Sequence, residues 1–73
     1  MDKNFGARLE AFRMSHEMSI EELAAASGVD ADTIKSFEDG VSYPTVSCVR
    51  KLAHVLQVFP STLLNIGKRH DNR

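Results

Sequence analysis

Residues 18–40 decide the fold of this protein, and they read MSIEELAAASGVDADTIKSFEDG. Ser19 and Glu22 have the spacing of a capping box, in which each side chain accepts a hydrogen bond from the other residue's backbone amide. The strong helix formers that follow continue up to Gly28, which is the residue type that most often ends a helix. The pattern predicts a short helix that begins after Ser19 and stops at Gly28.

A second short helix follows almost at once. Asp30 stands in the position of an N-cap, and the helix it opens runs to about Asp39 before Gly40 closes it. Only Gly28 and Val29 separate the two helices, and so short a connector forces them to cross at a sharp angle. The sequence therefore predicts a helix-turn-helix.

The flanking sequence also has helical spacing. A first helix is expected over about 4–15, a fourth after the capping residue Thr45 and a fifth from Pro60. Because no stretch alternates as a strand does, we expect an all-α, compact five-helix domain over residues 1–66, with a polar, flexible tail over 67–73. The predicted core comprises Phe5, Leu9, Phe12, Met18, Leu23, Ala24, Val29, Ile34, Phe37, Val46, Val49, Leu52, Ala53, Leu56, Val58 and Leu63.

Length and composition exclude several classes of protein. A chain of 73 residues has room for one domain and not for a two-lobed enzyme cleft. It has no Gly-rich phosphate loop and no Ser/His/Asp set, so we expect no enzyme and no cofactor. The three histidines lack partners at ligand spacing, so no metal site is predicted. Because Cys48 is the single cysteine and no apolar run is long enough to span a membrane, a cytoplasmic protein is expected.

Residues spread over most of the chain fit one known pattern. They are Phe5, Gly6, Leu9, Arg13, Met18, Ser19, Glu21, Glu22, Leu23, Ala24, Gly28, Val29, Ile34, Phe37, Glu38, Gly40, Pro44, Leu52, Ala53, Leu56, Val58 and Leu63. Because these residues occur in this order, the chain resembles the phage repressor and Cro-like helix-turn-helix family, also called the XRE family, from about Phe5 to Leu64. The resemblance implies a lambda-repressor-like fold with an internal ion pair between Arg13 and Glu38.

The resemblance also implies a function. In this family the third helix, here about 30–39, enters the DNA major groove and the second lies across the backbone. A sequence-specific DNA-binding transcriptional regulator that acts as a homodimer on double-stranded DNA is therefore expected. The residues at the contact positions are Ser19, Ile20, Ala31, Asp32, Thr33, Lys35 and Ser36.

The charge distribution leaves a second interpretation open. Residues 19–44 carry six carboxylates and one lysine, a formal charge of −5, although the whole chain has only −1. Phosphate repels carboxylates, and lysine and arginine supply most non-specific DNA affinity. The alternative is a protein-interaction module, such as an antirepressor or regulatory partner, that uses this acidic face and binds little or no DNA.

The last part of the sequence carries more apolar residues than a small core needs. Val55, Phe59, Leu64 and Ile66 follow one another around the predicted fourth and fifth helices. A self-complementary apolar patch suits a two-fold dimer, because the same surface then meets itself. We predict a homodimer that uses these four residues.

Overall fold

The computed structural model describes residues 3–64 and has the predicted all-α architecture of five helices. These are α1 (Lys3–Ser15), α2 (Ile20–Ser27), α3 (Ala31–Glu38), α4 (Val46–Leu56) and α5 (Pro60–Leu64). Ile66 and the predicted tail lie outside the described residues. Within the described part of the chain, no helix is long and apolar enough to cross a membrane.

The ends of α2 and the start of α4 are set by local hydrogen bonds. The Glu22 amide donates to the Ser19 hydroxyl at 3.0 Å, and the Ser19 amide donates to the Glu22 carboxylate at 2.8 Å, which confirms the capping box. Gly28 ends α2 in the left-handed conformation, with φ of 79°. The Thr45 hydroxyl accepts from the Cys48 amide at 3.2 Å, so Thr45 caps α4 as predicted.

Asp30 occupies the predicted N-cap position of α3, but its side chain does not cap the helix. Its backbone carbonyl accepts from the Ile34 amide at 3.0 Å, but its side chain makes no capping hydrogen bond. The two-residue connector holds Asp30 at φ −56° and ψ 140°, whereas the true caps Ser19 and Thr45 are extended, with ψ of 168° and 166°. The carboxylate of Asp30 is therefore not held against the helix.

The core lies between helices that pack in pairs: α1 packs on α3 and α5, α2 packs on α3 and α4, and α4 packs on α5. It comprises Phe5, Leu9, Leu23, Val29, Ile34, Phe37, Val49, Leu52, Ala53, Leu56 and Leu63, and Phe12, Met18, Ile20, Ala24, Cys48, Val55, Val58 and Leu64 pack partly buried against it. The rings of Phe5 and Phe37 meet edge to face, with their centroids 5.9 Å apart. Fifteen of the sixteen predicted core residues are thus buried or packed against the core.

Val46 was predicted in the core, and this prediction is wrong because 69% of the residue is exposed. It has the correct helical spacing relative to Val49, but Thr45, Val46 and Ser47 are all exposed. The first residues of α4 therefore lie outside the core, which this helix joins at Cys48 and Val49. Periodicity identifies the inward side of a helix, but it does not show where the neighbouring helix ends.

Gly6 allows α1 to approach the end of α3 closely. A Cβ atom at this position would collide with the carbonyl oxygen of Phe37 and lie 2.9 Å from that of Glu38. Since these are backbone atoms at the end of a packed helix, they have little freedom to move away. The fold requires glycine here for space.

Arg13 connects three segments of the chain. Its guanidinium donates to the Glu38 carboxylate through Nε at 2.8 Å and Nη2 at 2.9 Å, and Nη1 donates to the Met18 carbonyl at 2.8 Å. The two side chains are largely buried, with 12% and 6% exposed. The hydrogen bonds that Arg13 donates to Glu38 raise the pKa of Arg13, so the guanidinium stays charged. This bidentate pair fixes the end of α3 to α1 and to the loop that precedes α2.

Candidate nucleic-acid interface

The helix-turn-helix presents one side of α3 to solvent and fixes the other side in the core. Ile34 and Phe37 are buried, and Val29 in the turn is only 6% exposed. The Ser27 hydroxyl accepts from the Val29 amide at 3.2 Å, which ties the turn to the end of α2. These contacts hold α3 rigidly with its outer side free.

That outer side carries the residues at the predicted contact positions. Asp32 and Lys35 are exposed, and Ala31, Thr33 and Ser36 are half-buried. Positions 32, 35 and 36 have i, i+3, i+4 spacing, so they lie on one face of the helix, with 31 and 33 beside it. The structure therefore brings the five α3 residues together on an accessible surface.

The lysine on this face is already paired. Lys35 Nζ lies 3.3 Å from an oxygen of Asp39, one helical turn away. Both side chains are more than half exposed, at 65% and 52%, so water weakens their attraction. Lys35 can leave Asp39 for a phosphate at small cost, but the net charge of the pair is zero.

The start of α2 offers less to a phosphate than the sequence pattern suggested. The capping box uses the amide of Ser19 and one acceptor site of its hydroxyl, which leaves the O–H able to donate, and it places the Glu22 carboxylate at this helix end. Ile20 is packed partly buried against the core. Among the described residues, the Ile20 and Glu21 amides have no hydrogen-bond partner, so they remain for a phosphate beside a carboxylate.

Sequence reasoning missed an apolar surface next to α3. Val41 and Tyr43, in the loop after α3, are 76% and 59% exposed. Two contacts hold this loop against the fold. The Val41 amide donates to the Ser36 carbonyl at 2.9 Å, and the centroids of the Tyr43 and Phe5 rings lie 6.0 Å apart. The sequence signal for this surface is the pair of apolar residues, Val41 and Tyr43, within three positions of Gly40.

The predicted dimer residues differ in how much surface they offer. Phe59 is 76% exposed, whereas Val55 and Leu64 are partly buried and pack against the core. Ile66 lies outside the described residues. Phe59 is therefore the main apolar group that this region presents to a partner.

No group of His, Cys, Asp and Glu side chains within the described residues is arranged to hold a metal ion. Arg13 and Glu38 form an internal pair, and the remaining acids of this face are exposed. The chemistry available on this surface is hydrogen bonding and charge.

Comparison with known proteins gives one match. A family model described as a helix-turn-helix domain matches residues 4–65, which include all of α2, the turn and α3. Searches of curated proteins and of solved structures found no match to this chain. The matched range agrees with the phage repressor-like pattern in the sequence.

Proposed function

Since this chain belongs to the family of helix-turn-helix domains, we propose that it is a sequence-specific transcriptional regulator that places α3 in the DNA major groove. Domains of this family typically bind DNA and are non-enzymatic. The observation that carries the proposal is the outer face of α3, which is accessible while Ile34 and Phe37 hold the helix in place. A rigid helix with a free polar face is what major-groove recognition requires.

Each residue of this face has a chemical role in the proposal. The hydroxyls of Thr33 and Ser36 can donate to or accept from base edges, and the methyl group of Ala31 can contact a thymine methyl. Asp32 can accept only, which suits the N4 amino group of cytosine. Lys35 can reach a phosphate or the acceptors of guanine. The face favours a site that contains cytosine near the start of α3.

Few cations support this contact, so its salt dependence is expected to be shallow. Lys35 is the only base between residues 19 and 44. Because each neutralised phosphate adds about −0.9 to the log–log salt slope, we expect a slope of about −2 to −4 for a dimer. We further propose that the dimer forms through Phe59 together with Val55, Leu64 and Ile66, the last of which lies outside the described residues.

The test measures fluorescence anisotropy of a random-sequence duplex pool against the purified protein over about 0.05–0.3 M salt. Lys35→Ala is expected to weaken binding about threefold to tenfold and to flatten the slope by about one per protomer. Asp32→Asn, a neutral change of the same shape, is expected to strengthen non-specific binding because it removes repulsion from phosphate. Equal affinity for the three proteins would contradict a role for this face.

A second candidate function is a protein-interaction module that uses the acidic face. The observation in its favour is the combination of the neutralised Lys35, the Glu22 carboxylate at the start of α2, and exposed Val41 and Tyr43. It predicts no DNA complex even at about 50 mM salt, where screening is weak. It also predicts capture of a lysine-rich probe peptide, lost when Asp30→Lys and Asp32→Lys are combined.

A further inference from the structure

A groove between α2 and α4 lies apart from the DNA-reading face. It has a volume of about 300 Å³ and is lined by Ala26, Ser27, Arg50, Lys51, His54 and Val55. Ala26 and Ser27 belong to the last turn of α2, at the opposite end of that helix from the capping box. The groove therefore does not share the start of α2 with the proposed DNA contact.

The sequence of α4 explains why the groove is basic. Arg50 and His54 are one helical turn apart, and so are Lys51 and Val55, so the four side chains form two neighbouring rows. Opposite them, Ala26 and Ser27 are small and leave space that larger residues would fill. The result is a groove with cationic groups of α4 on one side and small residues of α2 on the other.

The two strongest cations of the groove have no acidic partner within residues 3–64. The ion pairs in that range are Arg13 with Glu38 and Lys35 with Asp39. Arg50 and Lys51 are both exposed. The groove therefore carries two exposed cations that form no ion pair with the described part of the chain.

A complementary surface exists on the same molecule. Asp30 and Asp32 are exposed at the first turn of α3, and the Asp30 carboxylate makes no capping bond. These two carboxylates, on the N-cap residue and the second residue of α3, equal the two cations, Arg50 and Lys51, in number and are opposite in charge. The net charge of only −1 leaves little overall repulsion between two copies.

We propose that this groove binds the acidic first turn of α3 from a second copy of the chain. The contact is electrostatic, in contrast to the apolar surface around Phe59, with which the groove shares only Val55, and it goes beyond the proposed DNA-binding function. Because α3 cannot occupy the groove and the DNA major groove together, a copy held in this way is withheld from DNA. Self-association would then compete with DNA binding.

The test is sedimentation equilibrium of the full chain in a Phe59→Ser background, which removes the exposed apolar group. Association is compared at about 0.02 M and about 0.5 M salt, since screening acts on this contact. One variant carries Asp30→Lys with Asp32→Lys, and the other carries Arg50→Glu with Lys51→Glu. Circular dichroism checks that both remain folded, as expected for substitutions of exposed side chains.

The proposal expects the background protein to associate at low salt and to become monomeric at high salt. Each double variant alone should associate at least about tenfold more weakly at low salt, and an equimolar mixture of the two should regain association because the reversed charges match again. A matched control, Glu10→Lys with Glu17→Lys, changes the net charge equally on the exposed side of α1 and the following loop, and should still associate.

Two results would overturn the proposal. One is a mixture of the two charge-reversed variants that stays monomeric although both are folded. The other is a background protein that stays monomeric at low salt. If Arg50→Glu with Lys51→Glu then abolishes a DNA complex, the groove holds the DNA backbone instead.

Discussion

Arg13→Met removes the cation that holds the end of α3 against α1. Methionine keeps the unbranched apolar stem of the side chain but leaves the largely buried Glu38 carboxylate without its two hydrogen bonds. The Met18 carbonyl loses its donor as well. The change therefore tests how much of the fold depends on one guanidinium.

The expected magnitude follows from the burial of the pair. Removing one partner of a buried ion pair costs about 3–5 kcal/mol, and since these two side chains keep a little contact with water we expect about 3 kcal/mol. A domain of this size has a free energy of unfolding of about 4–11 kcal/mol, so the loss is large. The melting temperature should fall by about 12–24 °C.

The assay is urea and thermal unfolding followed by circular dichroism. Lys35→Met is the matched control, because it breaks an exposed pair one helical turn apart and should cost less than about 0.5 kcal/mol. The double variant Arg13→Met with Glu38→Leu should recover at least half of the loss, because no charge is then left buried. Since hydrogen bonding raises the pKa of Arg13 above its already high ordinary value, its charge and its contribution should not change between about pH 7 and 10.

The reasoning would be refuted by an Arg13→Met protein that loses less than about 1 kcal/mol of stability. It would also be refuted if the double variant were no more stable than Arg13→Met alone. Either result would mean that the pair contributes little beyond the packing of the arginine stem.

Four further substitutions test the packing and the backbone. Gly6→Ala should lower the free energy of unfolding by about 1–3 kcal/mol, because the new methyl group meets the Phe37 carbonyl; unchanged urea unfolding would contradict this. Gln57→Gly should raise the melting temperature, with a gain of about 0.5–1 kcal/mol, because Gln57 ends α4 at φ 61°, a conformation that glycine adopts without strain. Val49→Ala should cost about 2 kcal/mol in the same measurement, whereas Val46→Ala should change it by less than about 0.5 kcal/mol, and equal costs would contradict the different burial of the two valines.

The helix-turn-helix could be predicted from the sequence because its signals act within a few residues. The capping box joins Ser19 to Glu22, Gly28 sets its own backbone angle, and Ile34 follows the helical period. Asp30 shows the limit of such rules. It has the residue type of a cap, but the short turn before it fixes a backbone conformation in which its side chain does not bond to the helix.

The candidate site could be located from the sequence, but its electrostatics could not. The resemblance named Arg13 and Glu38 as a pair, and the structure joins them across 25 positions, which removes one carboxylate from the exposed acidic surface. The i, i+4 spacing of Lys35 and Asp39 permits an ion pair, and the structure shows that this pair forms. Side-chain pairing depends on which rotamers the neighbouring groups permit, and a sequence pattern does not contain that information.

The sequence by itself determined the number of helices, their ends and most of the core, because capping, glycine backbone angles and apolar periodicity act over one or two helical turns. Only the tertiary structure decided that Val46 is exposed and that Ile20 packs inward. Each outcome depends on which other parts of the chain pack against that position. The groove between Ser27 and Arg50 is another feature that only the tertiary structure decided. Its two walls are far apart in the chain, and it exists because packing brings small residues of α2 opposite long, charged residues of α4.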